Sequence, residues 1–360
     1  MTTAQATDPV LQIMSLEQHF KGAKGSKVVA VDDVSLSVHS GQTVGVVGES
    51  GSGKTTLGRT ALRLYDPTAG RIYFEGEDVT RLRGSRLTRH LRRRSSMIFQ
   101  NASTALNPSR RLGESLAEPL EVHRVGTSRT RAAKVEEALE SVGIDPAWSL
   151  RYPRQLSGGQ RQRVGVLRAL MLEPSLIVAD EPTAALDVSV QAQVVNLLRD
   201  IQLERGISYL FISHDLELVR YISHNVLVLY LGRVVEYGTA EQVFGDPRHP
   251  YTVSLVSMGR APEHRLVPQG DIPSPSQVPS GCAFSTRCPL ATDLCRISRP
   301  VLTNDGAGRM VACHRAGELA VPGTERAVPV IPHPLAHIQG HSGDSHAVRR
   351  ETVPATTGGK

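Results

Sequence analysis

Several short runs along the chain are apolar at nearly every position: Thr43-Val44-Gly45-Val46-Val47, Leu176-Ile177-Val178-Ala179, Tyr209-Leu210-Phe211-Ile212 and Val226-Leu227-Val228-Leu229-Tyr230-Leu231. Strand-sized runs without alternation predict buried strands, covered on both faces. Residues 10–39 follow another rule. Apolar and polar positions alternate there, most plainly in Val34-Ser35-Leu36-Ser37-Val38, as in half-buried strands, and Gly22, Gly25 and Ser26 break them with a loop. Residues 71–75 and 97–99 predict further strands. Thr56–Leu62 can open a helix, and residues 113–150 turn helical. Within them, Ser128 can cap a helix whose Ala132, Val135, Ala138, Leu139 and Val142 share one face and which Gly143 stops. Another apolar helical run leads to Leu172. The pattern is that of a doubly wound α/β core with additions.

No run approaches the roughly 18 apolar residues of a spanning helix, and the N-terminal residues lack the basic and apolar regions of a signal peptide. The expectation is a cytosolic protein that cannot itself form a membrane channel. Apolar residues make up 40 % of the 360, so most of the chain should be globular, and with only 4 % aromatics its core should be aliphatic. The charge of +6, from 41 basic and 35 acidic residues, suits an anionic ligand or a membrane surface but is too weak to argue for nucleic acid. Much of the basic excess sits in one stretch, Arg81 to Arg94, which reads as a solvated face or a contact for anionic lipid or a partner subunit.

Candidate chemistry begins where the first buried strand ends. Gly48-Glu49-Ser50-Gly51-Ser52-Gly53-Lys54-Thr55 joins that strand to the helix beginning near Thr56, the context a phosphate-binding P-loop requires. The glycines let successive N–H groups point at one anion, and the helix N-terminus adds its dipole. Lys54 supplies a full charge to the β- and γ-phosphates, and the Thr55 hydroxyl can ligate Mg²⁺. Downstream stands Leu156-Ser157-Gly158-Gly159-Gln160, in which Ser157 can cap the following helix and expose the N–H groups of Gly158 and Gly159 as a second anion site. The strand at 176–179 runs into Asp180 and Glu181. Asp180 suits Mg²⁺ held through water, and Glu181 is placed to orient or deprotonate an attacking water.

In these three motifs and their order the sequence resembles the ATP-binding cassette ATPases over roughly residues 10–260. The resemblance implies a P-loop NTPase cassette: a RecA-like core with an antiparallel β subdomain and an inserted helical subdomain at about 101–160. It implies that Phe20 stacks on adenine, though Phe20 also suits a core position. Gln100, after Met97-Ile98-Phe99, would join the core to the helical subdomain and reach Mg²⁺ or the attacking water. His214 would be the switch histidine at the γ-phosphate. Asp187, in Pro182-Thr183-Ala184-Ala185-Leu186-Asp187, would belong to the loop joining two active sites. Ala184 stands where Ser is commoner, and Leu167 where a small Ala is usual. Two cassettes would pack head to tail, each signature turn, 156–160, sealing the ATP held by the other's P-loop.

Past residue 238 the composition changes. Gly245-Asp246-Pro247-Arg248-His249-Pro250-Tyr251-Thr252 is turn-rich, a short apolar helix comes after it, and residues 262–281 are a Pro- and Ser-rich linker or irregular arm. All four cysteines come next, Cys282, Cys288, Cys295 and Cys313, spaced C-x5-C-x6-C-x17-C. Zinc, an iron–sulfur cluster or disulfides are the choices. A cytosolic setting argues against disulfides, and neither the close pairs of structural zinc nor the common ferredoxin spacings are present. Gly281-Cys282-Ala283-Phe284, Arg287-Cys288-Pro289 and Val311-Ala312-Cys313-His314 resemble the C-terminal extension of oligopeptide and dipeptide transporter cassettes, as does Asn101-Ala102-Ser103-Thr104-Ala105-Leu106-Asn107-Pro108 earlier in the chain. That resemblance implies a [4Fe–4S] cluster on the four cysteines, with Zn²⁺ the alternative, and a structural role for it.

The organisation expected is a flexible tail over 1–9, a cassette over 10–260, a Cys-rich extension over 261–319 and a disordered tail over 320–360. That tail carries His333, His337, His341 and His346. The resemblance further implies an ATP-hydrolysing subunit of a peptide importer, peripheral on the cytoplasmic face of the inner membrane. Its partners would be a second cassette, copy or paralogue, two membrane permeases and an extracytoplasmic binding protein, with no nucleic acid. Nickel, glutathione or another small solute are alternative cargoes, and a cassette acting on DNA or ribosomes is the reading outside transport.

Overall fold

The apolar runs become the middle of one sheet. A computed structural model describes residues 8–22, 25–100, 106–184 and 186–322. In it β3 (Thr43–Val47), β6 (Ser95–Ile98), β7 (Leu176–Asp180), β8 (Ser208–Ile212) and β9 (Asn225–Tyr230) lie parallel in the order β9-β3-β8-β7-β6. Their side chains alternate between two cores. Val44, Val178, Leu210 and Leu227 join one apolar cluster, whereas Val47, Ile177, Tyr209 and Val226 join another on the opposite face. Period-two geometry sends neighbours in sequence to opposite faces, so a strand covered on both sides is apolar except near its ends.

The half-buried strands cover the first of those faces. β1 (Leu11–Lys21), β2 (Lys27–Val38), β4 (Ala69–Phe74) and β5 (Glu77–Asp78) form an antiparallel sheet in the order β2-β1-β4-β5. Leu11, Ile13, Val34, Leu36 and Ile72 face the shared core, which α1 (Lys54–Ala61) also enters through Leu57 and Ala61. The opposite face of the large sheet is closed by α6 (Val188–Arg205), α7 (Leu216–Ile222), α8 (Ala240–Gly245) and α9 (Pro250–Ser257).

A third core belongs to helices inserted between β6 and β7. α2 (Gly84–Leu87) precedes β6, and after it come α3 (Leu112–Val122), α4 (Ser128–Ser141) and α5 (Gly158–Leu170). Leu112, Leu116, Leu120, Val135, Leu139 and Val164 pack together there. Of the apolar face expected for α4, Val135, Ala138, Leu139 and Val142 join this core while Ala132 is exposed, and the cap is one residue earlier than expected. Thr127, not Ser128, is extended and accepts the N–H of Thr130 at 3.4 Å, while the Thr130 hydroxyl accepts the N–H of Thr127 at 2.8 Å. A threonine three residues after Thr127 completes this reciprocal pair. Gly143, at φ +69°, takes the chain out of the helix.

The Pro- and Ser-rich stretch is irregular apart from a 3₁₀ turn at Pro262–His264, yet the segment beyond it is docked firmly. β12 (Met310–Val311) adds antiparallel to β10 (Arg233–Thr239), and β11 (Thr303–Asn304) adds to β12. Ala283 and Phe284 sit in the large-sheet core. No helix among the described residues is long and apolar enough to cross a membrane. Residues 1–7 of the expected N-terminal tail, Asn101–Ala105, Ala185 and residues 323–360, with the four tail histidines, lie outside the described residues.

Leu116 is fully buried in the helical core. Leu116→Ala should lower stability by about 2–5 kcal/mol. Chemical denaturation of the full chain checks this, and an unchanged midpoint would mean that the inserted helices do not pack as described.

Candidate functional site

All the buried parallel strands end at one edge, and that edge gathers the candidate residues. At the end of β3 the chain turns through Gly48-Glu49-Ser50-Gly51-Ser52-Gly53 into α1. Two of these glycines are obligatory in this packing. Gly48 has φ +153° and a Cβ there would lie 2.2 Å from the Leu229 carbonyl oxygen; Gly53 has φ +102° and its Cβ would lie 2.1 Å from that of Ala30. Lys54, at the start of α1, is 5 % exposed and its ammonium donates to the carbonyls of Gly48 at 2.8 Å and Glu49 at 2.9 Å. Burial lowers the Lys54 pKa, opposed by the nearby Glu181, Asp180 and Glu49 carboxylates. An anion entering this loop would restore the charge that burial disfavours.

Next along α1, the Thr55 hydroxyl donates to Asp180 Oδ1 at 2.8 Å, and Arg59 Nη2 stands 3.9 Å from Asp180 Oδ2. Burial raises the Asp180 pKa against those two partners. Glu181 follows at φ +47°, a left-handed backbone that glutamate rarely adopts, locked by its N–H to the Ile212 carbonyl at 2.8 Å. Its carboxylate is flanked on both sides. Gln100 Nε2, past the end of β6, donates to Oε2 at 2.9 Å, and His214 Nδ1, past the end of β8, lies 3.3 Å from Oε1.

Most of these groups line one cavity of about 440 Å³, although Asp180 and Arg59 do not line it. Ser50, Gly51, Gly53, Lys54, Thr55 and Thr56 form its floor, Gln100, Glu181 and His214 one side, and Val28, Ala30 and Pro275 the other. Gly48, Glu49 and Ser52 build the loop from behind. A cation at one end, with a hydroxyl, the Glu181 carboxylate, an amide and an imidazole beside it, and buried Asp180 bonded to the Thr55 hydroxyl, suit a Mg²⁺–triphosphate. Thr55 and Asp180 would hold the metal, with Gln100 within reach. The sequence did not mark Arg59 or Pro275. Pro275 is far away in the chain and nothing local signals its return to Val29, whose N–H reaches its carbonyl at 3.3 Å.

Other candidates stand elsewhere. Phe20, 38 % exposed on β1, packs edge-on against Tyr65 with centroids 5.4 Å apart and does not line the cavity. Ser157 caps α5 as expected. Its Oγ accepts the Gln160 N–H at 3.3 Å, and Gln160 Oε1 accepts the Ser157 N–H at 2.9 Å. A Cβ on Gly159 would lie 2.5 Å from Val190 Cγ1, so the turn sits tightly on α6, while Ser157 and Gly158 face solvent. None of Leu156–Gln160 lines the cavity. Asp187 caps α6, accepting the Val190 N–H at 2.9 Å and the Ser189 hydroxyl at 2.7 Å.

The four cysteines converge although their spacing spans more than thirty positions. Cys282, Cys288, Cys295 and Cys313 all line one small cavity of about 10 Å³, together with His249, Phe284 and His314, and none forms a disulfide. Burial pushes the Cys288 thiol up to about 11 and Cys313 up to about 12, and raises Cys282. Main-chain N–H groups point back at the sulfurs, Arg315 at Cys313 at 3.3 Å, Phe284 and Ser285 at Cys282, and Leu290 at Cys288. Such donors suit thiolates, which only a bound cation would stabilise at this depth. The expected cluster is not supported by this geometry. Among the described residues no group of three or more His, Cys, Asp or Glu side chains is arranged to hold a metal ion. The thiols share a pocket, but their arrangement does not by itself show a [4Fe–4S] or zinc site.

The fold and cavity define a P-loop ATPase cassette. Residues 31–184 match the ABC transporter family, and residues 235–295 the oligopeptide/dipeptide transporter C-terminal region. A putative peptide import ATP-binding protein of Brucella ovis is 48 % identical over 312 residues, covering 85 % of this chain and 98 % of the relative. The oligopeptide transport ATP-binding protein AppF of Bacillus subtilis is 44 % identical over 325 residues, covering 87 % and 99 %. Among solved structures, a dimeric ATP-binding cassette in a post-hydrolysis state with ADP and Pi aligns with TM-score 0.58 at 28 % identity, covering 64 % of this chain and 98 % of that one. CbiO1 of Clostridium perfringens, part of an ABC transporter complex, aligns with TM-score 0.59 at 25 % identity, covering 70 % and 95 %. The chain belongs to the ATP-binding subunits of ABC transporters, in the oligopeptide/dipeptide branch.

Asp180 gives a pH test of the site. Its folded pKa lies above its unfolded one, so its ionisation opposes folding. That penalty is absent below the unfolded pKa and grows as pH rises through the folded value. Asp180→Asn should therefore raise the melting temperature of the nucleotide-free chain, more at about pH 7 than at about pH 3.5. A gain independent of pH would remove Asp180 from this account.

Proposed function

We propose that this chain hydrolyses ATP to drive uptake of di- or oligopeptides through a membrane transporter. One observation supports the reading above others. Lys54, Thr55 and a Glu181 carboxylate held between Gln100 and His214 meet at a single cavity, with buried Asp180 bonded to the Thr55 hydroxyl. In this reading the P-loop N–H groups and Lys54 bind the β- and γ-phosphates and spread the charge that develops on them. Thr55 and Asp180 would hold Mg²⁺, which would supply Lewis-acid charge at the phosphates. Glu181 accepts a hydrogen bond from the attacking water and takes its proton as the water oxygen bonds to the γ-phosphorus. The bond to the β–γ bridging oxygen breaks, and ADP and phosphate result. Gln100 and His214 aim the Glu181 carboxylate, and Gln100, leading towards the inserted helices, relays the change. Phe20 serves the adenine, and Asp187 the loop between paired sites.

The Ser157-Gly158-Gly159 turn, exposed at Ser157 and Gly158, stands outside its own chain's cavity, which supports a second cassette as its user. Two cassettes then enclose ATP between P-loop and signature turn, and hydrolysis lets them part. The partners are two polytopic permeases, reached through the helices packed around Leu116, and a binding protein outside the cytoplasmic membrane. The chain itself lies on the cytoplasmic face. The domain plan is a cassette over 10–260, with the helical subdomain at about 101–160, and an extension over 261–319. The four thiols hold a metal group, a [4Fe–4S] cluster in preference to zinc, supported by their common pocket and their N–H donors. Such a group would staple an arm that has little core of its own.

Two expected outcomes test this. Glu181→Gln should retain ATP binding, lose turnover by at least about a hundredfold and accumulate as an ATP-bridged dimer in size-exclusion chromatography. Hydrolysis near the normal rate would exclude Glu181 from the mechanism, while isolation of the protein from membranes without any permease would exclude transport. For the thiols, protein prepared without oxygen should be brown and contain iron and sulfide. A colourless preparation with stoichiometric zinc would reject the cluster.

A further inference from the structure

The arm that carries the thiols also grips the phosphate loop. Arg287 lies in a turn whose two ends, Cys282 and Cys288, face the thiol pocket. Its side chain is only 8 % exposed and reaches Glu49 of the P-loop. Nη1 donates to Glu49 Oε2 at 2.7 Å and Nη2 to Oε1 at 3.2 Å. This fork is the strong and directional form of a guanidinium–carboxylate contact. Nη1 also stands 3.5 Å from the Tyr230 hydroxyl.

Glu49 is restrained from two further directions. Its N–H donates to the buried Tyr251 hydroxyl at 2.7 Å, and its carbonyl accepts from Lys54 Nζ at 2.9 Å. Tyr251, Tyr230 and Phe284 pack mutually, with ring centroids 4.6, 5.3 and 5.4 Å apart. Phe284 and Arg287 come from the arm, so one aromatic and charged wedge from the far end of the chain backs the loop. Arg287 does not itself line the nucleotide cavity. A bare carboxylate beside a triphosphate site would repel the ligand; paired with Arg287 it becomes a neutral handle on the loop.

We propose that Arg287 is a positioning residue for ATP binding. By gripping and neutralising Glu49 it sets the carbonyl against which Lys54 is aligned, and so makes the cysteine-bearing arm part of the nucleotide site. This rests on the nucleotide-site reading given above. Removing Arg287 frees the loop and exposes the Glu49 charge to the phosphates. Turnover at saturating ATP should survive, because Glu181, Gln100 and His214 stand on other elements.

The test uses the full chain and measures equilibrium binding of MgATP, the KM and kcat of hydrolysis, and thermal melting of the same preparations. Arg287→Gln should weaken ATP binding by about tenfold, in line with loss of one partner of a buried charge pair, and raise KM in parallel with kcat reduced by less than about twofold. Arg287→Lys should recover part of the affinity, since an ammonium cannot engage both oxygens. Adding Glu49→Gln to Arg287→Gln should cost less than the two separate effects combined. Wild-type affinity in folded Arg287→Gln, or additive effects of the two changes, would overturn the proposal. Should Arg287→Gln fail to fold, Arg287→Lys decides alone, and wild-type affinity there would overturn it. Wild-type protein that does not bind MgATP would instead defeat the nucleotide-site reading beneath it.

Discussion

A parallel strand covered on both faces has nowhere to put a charge except at its end. In this chain β3, β7, β8 and β9 obey that constraint, with alternate residues committed to two different cores. Because the strands run the same way, their carboxyl ends share one edge. The first residues free of the core are therefore neighbours in space: the P-loop after β3, Asp180 and Glu181 at β7, His214 after β8, and Gln100 after β6. The site is a consequence of how the sheet is buried, and ligands of open α/β sheets lie at this edge for the same reason.

Packing charges against that edge opposes stability. Burial works against the charged forms of both Lys54 and Asp180, and Glu181 holds a backbone angle unfavourable to it. Gly48 and Gly53 leave the loop without side chains where carbonyls of β9 and β2 approach. Each feature is a local sacrifice that makes sense once a polyanion and a cation share the site, since preorganised groups gain most when their charges meet a ligand in a water-poor pocket. The arm adds to the same balance of charge. Arg287 cancels Glu49 from behind, and the wedge of Phe284, Tyr230 and Tyr251 packs beside that pair.

Much of this was legible because the signals were local. Unbroken apolar runs marked the central strands, strict alternation marked β2, and the glycines and Lys54 between a strand and a helix marked the phosphate loop. Ser157 reads as a cap because Gln160 stands three places on. The same local logic slipped by one residue at α4, where Thr127 and Thr130 share the capping that Ser128 was expected to do. Phe20 was marked only by the family resemblance, and its ring lies against Tyr65, outside the cavity. The cysteines were marked as a group, and the chain does gather them, but spacing carries no information about whether four sulfurs reach one point.

By itself, the sequence determined the strands, their burial, the glycine-rich turn after β3 and the two acids at the end of β7. All of these depend on residues adjacent in the chain, acting through periodicity, backbone freedom and capping. Only the tertiary structure decided which distant groups share a site: that Gln100 and His214 both hold Glu181, that Pro275 walls the cavity, and that Arg287 closes on Glu49 across 238 positions. Contacts of that span are set by how layers stack and where loops return, and no local pattern of residue types encodes them.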